Sequence, residues 1–272
     1  MKVVTWNINR FDGVWDWYNN GDLPMPQRKE CANKITEKLS ELLTTMEDIA
    51  ILQEVPYRGA GWKDEWNEHW KSFLNERFKV MLWFDNEPER KDFNYSSSKN
   101  VTIAITKKGS NWAIRSYESR AVKFGETNGC SDYVNRYIEL VNGNMSLLGF
   151  HLSSYKDGGE EQWKQIHSVA DSSMFSFIVG DFNVNDFLYP FQNDLRRLEK
   201  NYDRMIDKDV ITQNQTLASL DNIFVKKGLC SNTKISILDY CYIPKCDGFG
   251  DSVRQMRCSD HHACICEIYK IY

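Results

Sequence analysis

An α/β fold of mixed sheets covered by helices is what this 272-residue chain predicts. Two patterns predict it. Short β-prone apolar runs alternate with segments whose apolar residues recur at helical spacing, and some neighbouring runs are joined by tight-turn residues while others are separated by a whole helix. Strand–helix–strand order mixed with hairpins implies mixed sheets with helices laid over them.

The elements follow in order. Residues 2 to 8 read as a strand, and an aromatic, polar loop over Phe11–Tyr18 then leads past Pro24 and Pro26 into a helix. In that helix Ala32, Ile35, Leu39, Leu42, Leu43 and Met46 form an apolar stripe against charged Lys34, Glu37, Lys38 and Glu41. Asp48–Gln53 is a buried strand delivering Glu54, and Lys63–Glu76 a second helix bearing Trp66, Trp70 and Phe73. Val80–Phe84, Val101–Thr106, Tyr133–Val141 and Met145–His151 are β-prone runs, with Asn142-Gly143 as a hairpin signal. Glu160–Asp171 carries Trp163, Ile166, Val169 and Ala170 on one helical face, and Ser176–Val179 returns to strand. A helix near Phe187–Lys200, strands at Leu220–Val225 and Lys234–Tyr240, and a terminal strand after His262 complete the pattern.

The polar residues at the ends of these runs carry the chemistry. Trp6-Asn7-Ile8-Asn9 follows the first strand, Gln53-Glu54 ends the next, and His151 ends Ser146–Phe150. Gly180-Asp181-Phe182-Asn183 ends Phe175–Val179, Asp221 lies in Ser219–Phe224, and Ser259-Asp260-His261-His262 opens the last strand. A single Asp or Asn after Gly is an ordinary turn. An ordered set that repeatedly delivers Asn, Glu, His and Asp to strand ends marks a site.

In this order and with these residue types, the chain resembles the endonuclease/exonuclease/phosphatase superfamily, the DNase I-like hydrolases that cut phosphate esters with a divalent metal. The likeness runs from Asn7 to His261. It implies a four-layer α/β/β/α sandwich of two mixed sheets with outer helices, a refinement that periodicity alone does not supply. It also implies that Glu54 is the principal ligand of Mg²⁺ or Mn²⁺, hard cations that prefer oxygen, with Asn7 and Asp260 nearby. By the same resemblance Asp181 orients or deprotonates the attacking water and Asn183 offers the phosphate a neutral donor. His261 donates to the phosphoryl group, and Asp221 orients it. His151 stands where exonuclease III-type members carry tyrosine, whereas DNase I-like nucleases, poly(A)-removing nucleases, sphingomyelinases and inositol-phosphate phosphatases carry histidine.

Composition bounds the rest. The motifs span both ends with no linker or low-complexity tract between them, so a single domain over residues 1–272 is expected. A formal net charge of −4 gives no global pull toward a polyanion. A nucleic-acid substrate therefore depends on the metal's own charge and on local groups. The chain shows no export signal and no apolar run of membrane-spanning length, so a cytoplasmic protein without membrane association is expected. The cysteine cluster at Cys230, Cys241, Cys246, Cys258, Cys264 and Cys266 lacks a paired CxxC spacing, and buried reduced thiols fit it better than zinc or disulfides. Trp15 and Trp17 crowd the loop after Asn7, where they could stack on bases or pack beneath the loop. The expected activity is hydrolysis of DNA or RNA phosphodiesters by an activated water. The alternative is hydrolysis of a small or lipid phosphoester such as an inositol phosphate, sphingomyelin or a signalling nucleotide. Oligomeric state leaves no mark in the sequence.

Overall fold

Alternation along β1 (Lys2–Asn7) sets the layering, because successive strand residues face opposite ways and both faces of this strand are apolar. Val3 turns toward a second sheet, while Val4 and Trp6 turn toward a helix. The computed structural model describes residues 1–11, 23–56, 71–82, 100–116, 119–122, 136–153, 159–184, 192–213, 217–238, 242–244 and 255–272.

One six-stranded sheet combines β1 with β2 (Ile49–Pro56), β3 (Phe78–Met81), β4 (Asn100–Lys107), β11 (Cys230–Ile237) and β14 (Cys264–Ile271), in the order β11-β14-β1-β2-β4-β3. The other combines β5 (Ala113–Ile114), β6 (Tyr137–Asn142), β7 (Met145–His151), β8 (Phe177–Asp181), β9 (Tyr202–Arg204) and β10 (Asp221–Lys226), ordered β5-β6-β7-β8-β10-β9. Both are mixed. β1 runs parallel to β2 and antiparallel to β14, and β7 runs parallel to β8 and antiparallel to β6. A small ribbon pairs β12 (Tyr242–Pro244) with β13 (Gln255–Arg257).

Three buried clusters divide the sandwich. Val3, Ile51 and Cys266 meet Ile138, Leu147 and Val179 between the sheets. Outside the first sheet, Val4, Trp6 and Leu52 pack with Ala32, Ile35 and Leu39 of α1 (Met25–Leu42). Outside the second, Leu148, Phe150 and Ile178 pack with Trp163 and Ile166 of α3 (Gly159–Asp171) and Leu195 of α4 (Gln192–Leu198). The order is therefore helix, sheet, sheet, helix, and each fully buried aliphatic or aromatic side chain contributes about 1.5–3 kcal/mol.

Several boundaries differ from the sequence pattern. Helix α1 ends at Leu42 because Asp48 gathers the following backbone, accepting N–H groups from Lys2, Thr44 and Thr45 at 2.7, 2.8 and 2.7 Å. Burial would raise the pKa of this carboxylate, but the hydrogen bonds from Thr45 and Lys2 outweigh it and hold the pKa low. Met46, counted in the apolar stripe, lies beyond the helix and is 48% exposed. Within the expected second helix, α2 spans Lys71–Arg77, one residue past the expected end at Glu76; the expected start at Lys63, with Trp66 and Trp70, lies outside the described residues. β3 begins two residues before the expected run at Val80, and β11 begins at Cys230 rather than Lys234 because β14 offers partners as far as Ile271. The hairpin signal at Asn142-Gly143 holds: Asn142 pairs with Met145, and Gly143 takes a positive φ of 57°.

Where described, Cys31, Cys258, Cys264 and Cys266 are buried and Cys230 is half-buried. Cys31, Cys230, Cys264 and Cys266 form no disulfide, and burial pushes Cys264 well above the usual thiol range and Cys266 up to about 12. Cys264 and Cys266 are buried side chains of the core, held as thiols rather than as nucleophilic thiolates. Cys241 and Cys246 lie outside the described residues.

Gly180 is demanded by strand packing. A Cβ there would sit 2.0 Å from the Phe150 carbonyl oxygen, which belongs to the backbone and cannot swing away. That close approach also sets Asp181 opposite His151 in the β7–β8 register. Gly180→Ala is expected to destabilise the protein by about 3 kcal/mol or more, read as a lower urea midpoint at unchanged slope. A midpoint equal to wild type would contradict the packing.

Candidate active site

Strand direction brings the polar ends together. Asn7 and Glu54 lie at the C-terminal ends of parallel β1 and β2, and Asp260 and His261 precede antiparallel β14 on the same edge. In the second sheet His151 and Asp181 end parallel strands, and Asp221 begins β10 directly opposite Asp181. All of these residues therefore gather at one end of the sandwich, Asn7, Glu54, Asp260 and His261 from the first sheet and His151, Asp181 and Asp221 from the second.

Two local distortions aim the side chains. The β2–β4 register shifts between Leu52 and Val55, and inside that bulge Glu54 adopts a φ of 53°. Asn183 adopts a φ of 52° just after β8. Left-handed conformations at non-glycine residues are costly and concentrate at functional sites.

Hydrogen bonds tie the two sheets across the site. Asn7 Nδ2 donates to Asp181 Oδ2 at 3.0 Å and to Glu54 Oε1 at 3.3 Å, while Asn7 Oδ1 accepts from Asn9 N at 3.0 Å. Asp181 Oδ1 accepts from Asn183 N at 2.8 Å. Asn183 Nδ2 donates to the Leu152 carbonyl at 3.0 Å and lies 3.4 Å from His151 Nε2. His151 Nε2 stands 3.7 Å from both Glu54 Oε1 and Asp181 Oδ2. Across the cluster, His261 Nδ1 meets Asp221 Oδ2 at 2.7 Å. His262 points elsewhere, its Nδ1 3.0 Å from the Leu238 carbonyl, and His167 pairs with Asp194 on the outer helices. Trp15 and Trp17 lie outside the described residues.

The electrostatics separate the groups. Burial, and then the nearby Asp221 carboxylate, push Asp181 up to about 7 against the opposing effects of His261, Asn7 and Asn183. Burial disfavours charge on His261, but Asp221, by charge and hydrogen bond, outweighs it with help from Asp181 and Asp260 and pushes the imidazole up to about 10. Burial, with Arg136 and His261 behind it, holds His151 well below the usual histidine range. One histidine is thus a held cation and the other a neutral ring.

Ligand atoms of Asp181, Asp221 and His261 lie within 4.8 Å of one another. The short His261–Asp221 bond occupies that imidazole nitrogen with a proton, so a cation does not suit this corner. Glu54, Asp260 and Asn7 offer a harder, all-oxygen set. Asp260 Oδ1 is buried and has no hydrogen-bond partner among the described residues, an orphaned lone pair that a hard divalent cation would satisfy.

Comparison with solved structures places the frame. A truncated TDP2 of Caenorhabditis elegans superposes with a TM-score of 0.60 at 16% identity, over 99% of this chain and 97% of that one. Beta toxin from Staphylococcus aureus gives 0.59 at 16% identity, over 98% and 99%. D. rerio TDP2 complexed with single strand DNA product gives 0.55 at 14% identity, over 99% of both chains. The chain adopts the DNase I-like fold. No protein-family model and no curated protein matches it by sequence.

Three residues given no site role by the sequence pattern brace the DNase I-like strand ends. Thr212 Oγ1 accepts the N–H groups of Leu220 and Asp221 at 2.9 and 3.0 Å. Ser259 Oγ donates to the Asn7 carbonyl at 2.7 Å and accepts from His261 N at 3.1 Å. Gln213 Nε2 donates to Asp260 Oδ2 at 2.9 Å. Thr212 and Gln213 sit in an irregular stretch without periodicity; only the neighbouring Ser of Ser-Asp-His offered a local cue, as a side chain able to bond its own backbone two residues on.

Proposed function

We propose that this protein is a divalent-metal-dependent phosphoesterase, a nuclease that hydrolyses DNA or RNA phosphodiesters by direct attack of an activated water. The observation that carries the reading is the meeting, at one end of the sandwich, of a carboxylate held by two donors, Asp181, with a carboxylate–imidazole pair, Asp221–His261. Glu54, Asp260 and Asn7 would hold Mg²⁺, with Mn²⁺ as the substitute, and the ion when bound would neutralise charge on the phosphoryl and leaving oxygens.

The protein groups divide the remaining work. Asp181, fixed through both oxygens, accepts the proton of the attacking water as its oxygen bonds to phosphorus and the P–O ester bond breaks. His261, kept cationic by Asp221, donates a charge-assisted hydrogen bond to the phosphoryl oxygens, whose charge grows in the transition state. Asn183 and neutral His151 add donors without adding a repelling negative charge. Asn7 links Asp181 and Glu54 by donating to both, which offsets the repulsion between the two carboxylates.

A polynucleotide substrate is favoured by the likeness to a TDP2 that holds a single-stranded DNA product. The deciding experiment incubates pure protein and Mg²⁺ or Mn²⁺ with single- and double-stranded DNA, RNA, and a panel of inositol phosphates, sphingomyelin and cyclic or dinucleotide diesters. Metal-dependent shortening of a polynucleotide is expected. Turnover confined to small or lipid esters would retain the phosphoesterase and replace the nuclease.

A further inference from the structure

We propose that Gln213 is a positioning residue for the metal centre: it fixes the Asp260 carboxylate so that one oxygen is saturated by protein and the other is left for the cation. This rests on the reading of Asp260 as a metal ligand. Gln213 is buried, 5% exposed, and its Nε2 donates to Asp260 Oδ2 at 2.9 Å, while Asp260 Oδ1 is buried without a hydrogen-bond partner among the described residues. A carboxylate with both oxygens free rotates or takes a proton. One with a single oxygen held presents the other in a fixed direction with its charge intact.

The backbone around Gln213 has the rigidity such a role needs. Its N–H donates to the Ala218 carbonyl at 3.0 Å and its carbonyl accepts from Ala218 N at 3.2 Å. It also bridges to His261, and His262 N donates to the Thr212 carbonyl at 2.8 Å. Thr212 in turn caps the start of β10 through Leu220 and Asp221. A two-residue strap thus joins the segment bearing Asp260 to the strand bearing Asp221, and its glutamine reaches from the first toward the metal-side carboxylate. Glutamine is suited to the place: its amide donates to a carboxylate without competing for the cation as a third acid would.

The test titrates protein with Mn²⁺ alone, following water-proton relaxation, for wild type, Gln213→Leu, Asp260→Asn and the double variant. Gln213→Leu should raise the Mn²⁺ dissociation constant about 10- to 100-fold with little change in metal-free melting temperature, and its hydrolysis should recover toward wild type at saturating metal. The double variant should bind no worse than Asp260→Asn alone. Wild-type Mn²⁺ affinity in Gln213→Leu, beside weakened binding in Asp260→Asn, would overturn the proposal and keep Asp260 as a ligand. Unchanged affinity in Asp260→Asn would remove Asp260 from the metal site, and the proposal with it. Should Gln213→Leu not fold, Gln213→Met is read in its place; if neither folds, Gln213 supports the fold and not the carboxylate, and the proposal fails.

Discussion

Asp181→Asn is expected to slow turnover by about 10²- to 10⁴-fold, the range for loss of a positioned general base, while changing KM little. The carboxamide fills the same space, so the variant removes the proton acceptor at the cost of one hydrogen bond, since its NH2 must face one of the two N–H donors. Its surroundings explain why the effect should be large. Asp181 is buried, both of its oxygens are occupied by donors from opposite sheets, and burial with Asp221 brings its pKa up to about 7, where a base is both free and effective at neutral pH. An acid held that way acts on a proton that moves only during reaction, so the loss should fall on kcat. Steady-state rates on the best substrate of the panel would check it. A raised KM at wild-type kcat would instead make Asp181 a substrate-binding group.

The second large effect is expected at His261. His261→Ala removes the cation that faces developing phosphoryl charge and should cost about 10²- to 10³-fold in kcat, as loss of a preorganised donor does elsewhere. Asp221 is completely buried and 2.7 Å from the ring, so the two should act as a unit. Asp221→Asn alone should be slow, and the double variant no slower than His261→Ala by itself. Multiplying costs would show that Asp221 acts independently. Near-ultraviolet circular dichroism on each variant separates these losses from unfolding.

The parts of this molecule that sequence exposes are those governed by local rules. The apolar stripe of α1 from Ala32 to Leu39, the Asn142-Gly143 hairpin and the strand leading into Gly180-Asp181 each carry their own periodicity or turn chemistry, and each lies where the pattern places it. Strands of two or three residues such as β5, β9, β12 and β13 are too short for alternation to register, and they exist because a neighbouring strand offers hydrogen bonds. The same contrast holds at the site. Asn7, Glu54, His151, Asp181, Asn183, Asp221, Asp260 and His261 end or begin apolar runs, and strand direction carries all of them to one edge. The bulge that turns Glu54, the amide of Asn7 donating to carboxylates from both sheets, and Gln213 on Asp260 depend on contacts between residues far apart in the chain, up to 174 positions for Asn7 and Asp181, which no local pattern encodes.

Metal-dependent chemistry at the edge where the two sheets meet is the core of this reading, and Glu54→Gln addresses it with the smallest change of shape. The measurement is the Mg²⁺ dependence of single-stranded DNA cleavage by wild type and Glu54→Gln, with a chelator control. Wild type should cleave with Mg²⁺ and stop in chelator, and Glu54→Gln should lose nearly all of its rate at low Mg²⁺ while remaining folded, because one ligand charge to a hard cation is gone. Cleavage by Glu54→Gln at the wild-type rate at low Mg²⁺, or wild-type cleavage that persists in chelator, would contradict it.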